Sequence, residues 1–373
     1  MKFSFETVYT TILTTNILIL FVASVLNNLK IIAHSGYKIA LSGIILIILR
    51  FAFPLEFFFT QNLPLPKFFS FFISKILHPY WGTVCIWHIL MVIWGIGIAY
   101  NLLCYIREYI NLMHFIHSHT DNVTDTERYQ KAIRQIDACK NRQNFFVYES
   151  TDICSPMICG IFQPRVLLPK HLSLSDTDLE LILRHEISHY YHKDLLLKMS
   201  TELICIIYWW NPICRILRRQ INIILELRID HELSVSSAEQ KLAYYSCLLD
   251  TAKQAVNETL CSPHIIYFCR NSRSILYHRV EIGLHASHHQ YTGIKIMITT
   301  LLATTYVVSY LFILEPFYIS PQYEKSTAGT MSPEFFYIVN DTGTYDIYYQ
   351  GKHIETTDSL KYYLGIRPLK DGD

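Results

Sequence analysis

Four stretches of this chain are long and apolar enough to cross a lipid bilayer: Thr7–Leu26, Tyr37–Leu55, Thr83–Ile106 and Gly293–Leu314. Inside hydrocarbon every backbone N–H and C=O must find a partner within the protein, so each stretch is committed to helix before any other feature is read. Composition agrees. Charged residues make up 17% and hydrophobic residues 51% of the 373, with a mean hydropathy of +0.22; soluble proteins carry about 25% charged residues. A net charge of +1 gives no surface for direct nucleic-acid binding. The first stretch lacks a small-residue cleavage site and a strongly basic start, so it reads as an anchor rather than a signal peptide. Arg50 lies inside the second, where a charge is costly. It can snorkel to the head groups, pair with Glu56 or carry a signal between helices.

A fifth apolar stretch, Leu195–Trp210, is interrupted by Lys198 and Glu202. The uncharged run left over is too short to span. It reads as a helix buried in a domain or leaning on the bilayer, with Trp209 and Trp210 near the interface. The spans therefore divide the chain into a three-helix membrane unit (1–106), a domain outside the bilayer (107–292), a fourth transmembrane helix (293–314) and a short tail (315–373).

The domain holds the chemistry. Arg107–Thr124 can continue the third span as a stalk, and Asp125–Lys140 is a polar helix by composition. Two short β-type runs follow, Asn144–Glu149 and Arg165–Leu168. Next comes Leu179–Asp194, with His185-Glu186-Ile187-Ser188-His189 inside it. On a helix, positions i and i+4 share a face, so His185 and His189 can point at one ion with Glu186 beside it, placed to hold a water. Ser175 and Asp178 supply a capping-box start, and Leu179, Leu183, Ile187 and Tyr190 form a stripe away from the histidines. Two neutral imidazoles, one further ligand and an open position are how catalytic Zn2+ is held. With 17 histidines in the chain, the pentapeptide could also arise by chance.

Pro212 starts or kinks a further helix over Cys214–Val235, and on it Glu226 and Asp230 stand at i and i+4. Glu226 follows His189 by 37 residues, room for one intervening helix and a return. It is well placed as the third ligand, and Asp230 could accept the other N–H of a ligating histidine. The alternative is that Glu226 pairs with an arginine on a solvated face. Glu232 competes for the ligand position, out of phase with the other two.

The ten cysteines include no C-x-x-C and none in the last hundred residues; those grouped in 139–269 suit a reducing compartment, hence a cytoplasmic face. Loop charge agrees weakly: Asn27–Gly36 carries Lys30 and no acid, while Glu56–Gly82 carries Lys67 and Lys75 against Glu56. With the domain inside, the N-terminus and the tail lie outside. In the tail, Phe335–Asn340 and Tyr345–Gln350 alternate like strands about a turn at Asp341-Thr342-Gly343, with a further strand after Gly351.

Several segments together resemble the BlaR/MecR family of membrane sensor-transducer zinc peptidases, over about residues 1–315. They are LRFAFPLEF (Leu49–Phe57), SPMICGIFQPRVLLP (Ser155–Pro169), HEISHYYHKD with Asp194 behind the histidines, YWWNPICRI (Tyr208–Ile216) and ELRID (Glu226–Asp230). The resemblance implies an α+β gluzincin-type metalloprotease domain inserted between the third and fourth helices of a predominantly α membrane protein. It implies His185, His189 and Glu226 as Zn2+ ligands, Glu186 as the general base, and Asp230 and Asp194 behind the ligands. Arg165, Val166, Leu167 and Leu168 are read as an edge strand on which an extended substrate pairs. The implied substrate is a cytoplasmic winged-helix repressor, and the protease itself, with Arg273–Arg279 as a self-cleavage region or a basic anchor to lipid. A homodimer is compatible with this layout.

One departure stands out. The family's well-known members end in a large penicillin-binding domain acylated at S-x-x-K, whereas the S-x-x-K here is Ser35–Lys38, between two spans. Sensing by acylation is not supported. Two rivals remain: a housekeeping protease of the HtpX type, and a non-catalytic receptor with a structural metal, against which an intact Glu186 argues.

Overall fold

The computed structural model describes residues 5–28, 37–55, 57–65, 76, 79–81, 84–137, 144–170, 172, 174–234, 238–257, 276, 279–283, 292–316, 335–339, 344–349, 352–357 and 367–368. It divides into two compact units, residues 1–60 with 97–311 and residues 61–96 with 312–373.

The described helices are α1 (Phe5–Asn27), α2 (Tyr37–Ala52), α3 (Ile86–Ser118), α4 (Glu127–Asp137), α5 (Asp176–Tyr191), α6 (Asp194–Ile207), α7 (Ile213–Ser234), α8 (Ala238–Asn257) and α9 (Thr292–Leu311). Three of them are long and apolar enough to cross a membrane, at Thr7–Asn27, Ile86–Ser118 and Thr292–Leu311. The expected span over Tyr37–Leu55 is shorter in the structure. Pro54 pushes the residue before it out of helical geometry, so α2 ends at Ala52 after 16 residues. That is about 24 Å of helix, below a hydrocarbon thickness of about 30 Å.

In the first unit, a sheet of order β4-β5-β7-β6 is formed by Asp121–Asn122, Phe146–Ser150, Arg165–Pro169 and Met157–Cys159 (β4, β5, β7 and β6). Alternation along β7 sends Val166 and Leu168 to one face, where the α5 stripe of Leu179, Leu183 and Ile187 covers them. Leu167 points to the other face, against Leu112, Phe115 and Ile116 at the foot of α3. The helical continuation of the third span beyond residue 106 thus ends by packing on this sheet.

β7 is not an edge strand. It pairs in parallel with β5 (Val147↔Val166) and antiparallel with β6 (Ile158↔Val166). Residues 165–168 therefore have no free main-chain side for a substrate, which corrects the assignment made from sequence. Met157–Cys159, too short to register as a strand from its sequence, takes the outer position.

The stretch after Lys193 forms α6, which at 14 residues is not among the helices long and apolar enough to cross a membrane. Glu202 on it is paired with Arg218 of α7 at 2.6 Å. α7 is amphipathic, and its buried side carries polar Gln220, Arg228 and Asp230 among the apolar residues. Its Leu217, Ile221, Ile224 and Leu225 share one core with Leu18, Ile19 and Val22 of α1 and with Ile44, Ile47 and Phe51 of α2. Asn211 begins this helix: its Oδ1 accepts from the N–H of Ile213, while its Nδ2 donates to Asn16 Oδ1 at 2.8 Å. Arg50 is spent on backbone. It donates to the carbonyls of Phe53 and Ser309 and lies 4.0 Å over the Tyr310 ring. Glu56, its expected partner, lies outside the described residues.

In the second unit, Gln61–Leu65 (β1) pairs in parallel with Phe312–Pro316 (β8), and Pro79–Trp81 (β2) pairs antiparallel with Val84–Cys85 (β3). The tail forms a sheet of order β11-β10-β9-β12, from Lys352–Thr357, Tyr345–Tyr349, Phe335–Val339 and Arg367–Pro368 (β11, β10, β9 and β12). The expected strands β9 and β10 pair antiparallel, and β11 is the strand expected after Gly351. Thiol usage departs from expectation: among the described residues Cys104, Cys159, Cys205, Cys214 and Cys247 are free, but Cys154 is disulfide-bonded.

Candidate metal centre

α5 is capped as its sequence predicts, the Ser175 hydroxyl accepting from the N–H of Asp178. Its 3.6-residue period brings His185 and His189 together, ring centroids 5.0 Å apart and nearly perpendicular. Both are buried. Glu226 arrives from α7 to complete a group whose ligand atoms lie within 4.8 Å of one another. Its Oε2 is 3.2 Å from His185 Nε2 and its Oε1 is 3.4 Å from His189 Nε2. Glu232, the competitor, faces elsewhere and bonds to His192 at 2.8 Å.

The remaining ring nitrogens are both committed. Lys193, in the left-handed region at φ 57°, turns the chain sharply after α5 so that α6 starts at Asp194. Asp194 Oδ2 then lies 2.7 Å from His189 Nδ1, and its Oδ1 accepts from Arg228. Burial raises the Asp194 pKa, but the bonds from His189 and Arg228 outweigh it and the carboxyl is held below its ordinary value. As an ionised carboxylate Asp194 only accepts, so His189 donates from Nδ1.

Asp230 does not touch His185 directly; the separation is 4.0 Å. The Tyr244 hydroxyl stands between them, donating to Asp230 Oδ1 at 2.6 Å and 2.9 Å from His185 Nδ1. Burial first, and then the charge of Asp230, push the Tyr244 pKa well up, so its one proton stays on the hydroxyl and goes to Asp230. It must therefore accept from His185 Nδ1–H, which leaves Nε2 bare on the side of Glu226. Tyr244 lies in no motif of the sequence, and no spacing rule picks it out.

A second contributor had no motif at all. Arg279, from the run considered for self-cleavage or lipid anchoring, is drawn into the centre instead. Its Nε and Nη2 donate to the two oxygens of Asp230 at 2.8 and 2.7 Å, and its Nη1 lies 3.0 Å from Glu226 Oε2. Burial would raise the Glu226 pKa, but Arg279 and then His189 hold it well below the ordinary value. Residues 273–275, 277 and 278 of that run lie outside the described residues.

The donor set fits a divalent cation. Two bare or exchangeable imidazole nitrogens face one carboxylate, each oriented from behind. Four acidic side chains, Glu186, Asp194, Glu226 and Asp230, meet two guanidinium groups, Arg228 and Arg279, leaving two negative charges over. Among the described residues no hydrogen bond or ion pair holds the Glu186 carboxylate, which is only 8% exposed. An acid left without a protein partner beside such a cluster is suited to hold a water.

The model of the family described as BlaR1 peptidase M56 matches residues 75–274, more than half of the chain. The chain belongs to that family. Among curated relatives it is similar to the regulatory protein BlaR1 of Bacillus licheniformis, 32% identical over 89 residues. It is also similar to the methicillin resistance mecR1 proteins of Staphylococcus aureus and Staphylococcus epidermidis, 26% identical over 85 residues. The matches cover 24% and 21% of this chain, but only 15% and 14% of the relatives' own lengths. The M56 assignment thus stands on the peptidase region, and the rest of those proteins has no counterpart in the matches.

Proposed function

We propose that this M56 chain is an integral membrane zinc metalloendopeptidase that transduces a signal by cleaving a cytoplasmic winged-helix repressor, and itself. The observation that carries the peptidase reading is the convergence of His185, His189 and Glu226 beside the unpartnered carboxylate of Glu186. His185 and His189 would hold the ion through Nε2 and Glu226 through its carboxylate. Zinc in that position supplies Lewis acidity, polarising a peptide carbonyl and acidifying a water. Glu186 takes the proton of the attacking water and hands it to the leaving amine. Asp194 and Tyr244, the latter tied to Asp230, keep both Nδ1 atoms as donors, so neither ring can turn its Nε2 away.

The extended substrate is assigned to β6 instead of β7. Met157–Cys159 pairs on one side only among the described residues, and α5 packs against it. A peptide lying there would add a strand by main-chain hydrogen bonds.

The membrane topology completes the reading. α2, about 24 Å long, is assigned a fourth crossing in which the bilayer thins around it, beside α1 and α9, against which it packs closely: a Cβ on its Gly43 would lie 3.1 Å from Val22 and 3.3 Å from Leu302. The domain boundaries are those read from the sequence, 1–106, 107–292, 293–314 and 315–373. With Cys154 in a disulfide, thiol usage no longer argues for the cytoplasmic side. That orientation rests on Lys30 in the loop Asn27–Gly36 and on the family resemblance.

The deciding experiment compares purified wild type with Glu186→Gln on a neighbouring repressor and on the protease itself, with metal content measured in the same samples. Both forms should hold one zinc, and the variant should cut at least about a hundredfold more slowly. Equal cleavage by the two would end the peptidase reading. Zinc in neither would end the ligand set. A repressor left intact by an active enzyme would favour the housekeeping role.

A further inference from the structure

Residues 279–283 are helical and stand apart from the peptidase motif, yet Arg279 reaches the centre and Gly283 rests on α8. Arg279 and Gly283 are four residues apart and share a face. At Gly283 an added Cβ would lie 2.0 Å from the Tyr245 hydroxyl, so glycine is what lets this backbone sit against α8. Between them, Ile282 is buried in the core that α1, α2 and α7 build.

Two carboxylates one turn apart on α7, Glu226 and Asp230, repel unless a cation lies between them. A single guanidinium reaches both. Its planar fork takes two bonds to Asp230 and extends the third nitrogen to Glu226. Asp230 in turn holds the Tyr244 hydroxyl that orients His185. One side chain therefore fixes the third carboxylate directly and the first histidine through two bonds.

We propose that Arg279 is a positioning residue of the metal centre: docked by residues 279–283, it sets Glu226, and through Asp230 and Tyr244 also His185, in the arrangement that retains a divalent ion. The inference rests on the metallopeptidase reading above. The rival role is a plug, in which Arg279 fills the place of the ion and leaves when metal binds.

The two roles predict opposite results. Full-length protein in detergent or nanodiscs is loaded with Zn2+, and loss of the ion to a chelator is timed for wild type, R279A, R279K and G283L. Cobalt-substituted samples report the ligand field by absorption. Positioning predicts a ten- to hundredfold faster loss from R279A and an altered cobalt spectrum. R279K should recover part of the retention, since an ammonium restores the charge without the fork. G283L should reproduce the R279A result with Arg279 still present, because it undocks the segment. If R279A does not fold, R279K and G283L decide by the same measurement. Retention equal to or tighter than wild type in R279A, or in R279K and G283L where those decide, overturns the proposal. A wild type that takes up no zinc overturns the metallopeptidase reading itself, a result recognisable before any variant is compared.

Discussion

His189 reports the state of the centre. Burial lowers its pKa, but the charge of Glu226 and the bonds to Asp194 and Glu226 outweigh that and raise it to about 9. Without metal it is therefore protonated at neutral pH, and its contribution to stability is complete below the ordinary value of 6.5 and lost as pH rises through about 9. A metal needs the neutral ring, so protons compete with it throughout that range. Zinc uptake at pH 7 should release about one proton, and apparent affinity should rise about tenfold per pH unit until about 9. Calorimetry in two buffers of different ionisation heat measures the release; an affinity flat from pH 7 to 9 would refute it. Tyr244→Phe keeps the ring and removes the hydroxyl between His185 and Asp230. It should weaken zinc retention by about 10–100-fold, and leave the buried Nδ1–H of His185 without its acceptor at a cost of about 1–3 kcal/mol. The two pairs, His185 with His189 and Glu226 with Asp230, could be read from the sequence because helical spacing brings each together, and Asp194 through the family resemblance. Tyr244 and Arg279 could not, since they come from elements joined to the site only by tertiary packing.

The same contrast holds for elements. Long apolar or amphipathic helices announce themselves over many residues, and α1, α3, α5, α7 and α9 lie close to where their sequences place them. Short strands do not. β4 and β6 have two and three residues, and β1 pairs with β8 some 250 positions away, so no local pattern marks them. That is why β7, legible from its own apolar run while its neighbour β6 is not, reads from sequence as the edge. If β6 receives the substrate, N-methylation of alternate amides in a peptide substrate should raise KM, while methylation of the amides between them should not. An equal effect at every position would remove β6 from that role. At the far end of α2, Arg50 spans to the carbonyl of Ser309 at 2.8 Å. Arg50→Met leaves that buried carbonyl without its donor, and should cost about 1–3 kcal/mol, read as a lower melting temperature of the protein in detergent.

At the scale of the whole molecule, the sequence separates a membrane part from a catalytic domain, and packing within the first unit joins them. The helix that carries Glu226 has no separate core. Its Leu217, Ile221, Ile224 and Leu225 are covered by α1 and α2, and polar and ring contacts hold the turn before it and its last turn: Asn211 to Asn16, Tyr208 to Phe51, His231 to Tyr37. Nothing in a run of apolar residues distinguishes a face covered by a soluble domain from one covered by a membrane helix, which is why this union was not legible. It makes α1 and α2 part of the metal centre's support. Residues 107–292 expressed alone would expose those side chains, each worth about 1.5–3 kcal/mol when buried. The loss is comparable to the whole stability of a typical domain, about 5–15 kcal/mol. The fragment should therefore be aggregated or loosely folded and hold less than one zinc, whereas the full chain in detergent holds one. Co-expression with residues 1–60 should restore both solubility in detergent and metal binding. A monodisperse 107–292 fragment that binds zinc as tightly as the full chain would show instead that the centre assembles independently of the membrane helices, and that any signal from the spans must reach Glu226 by another route.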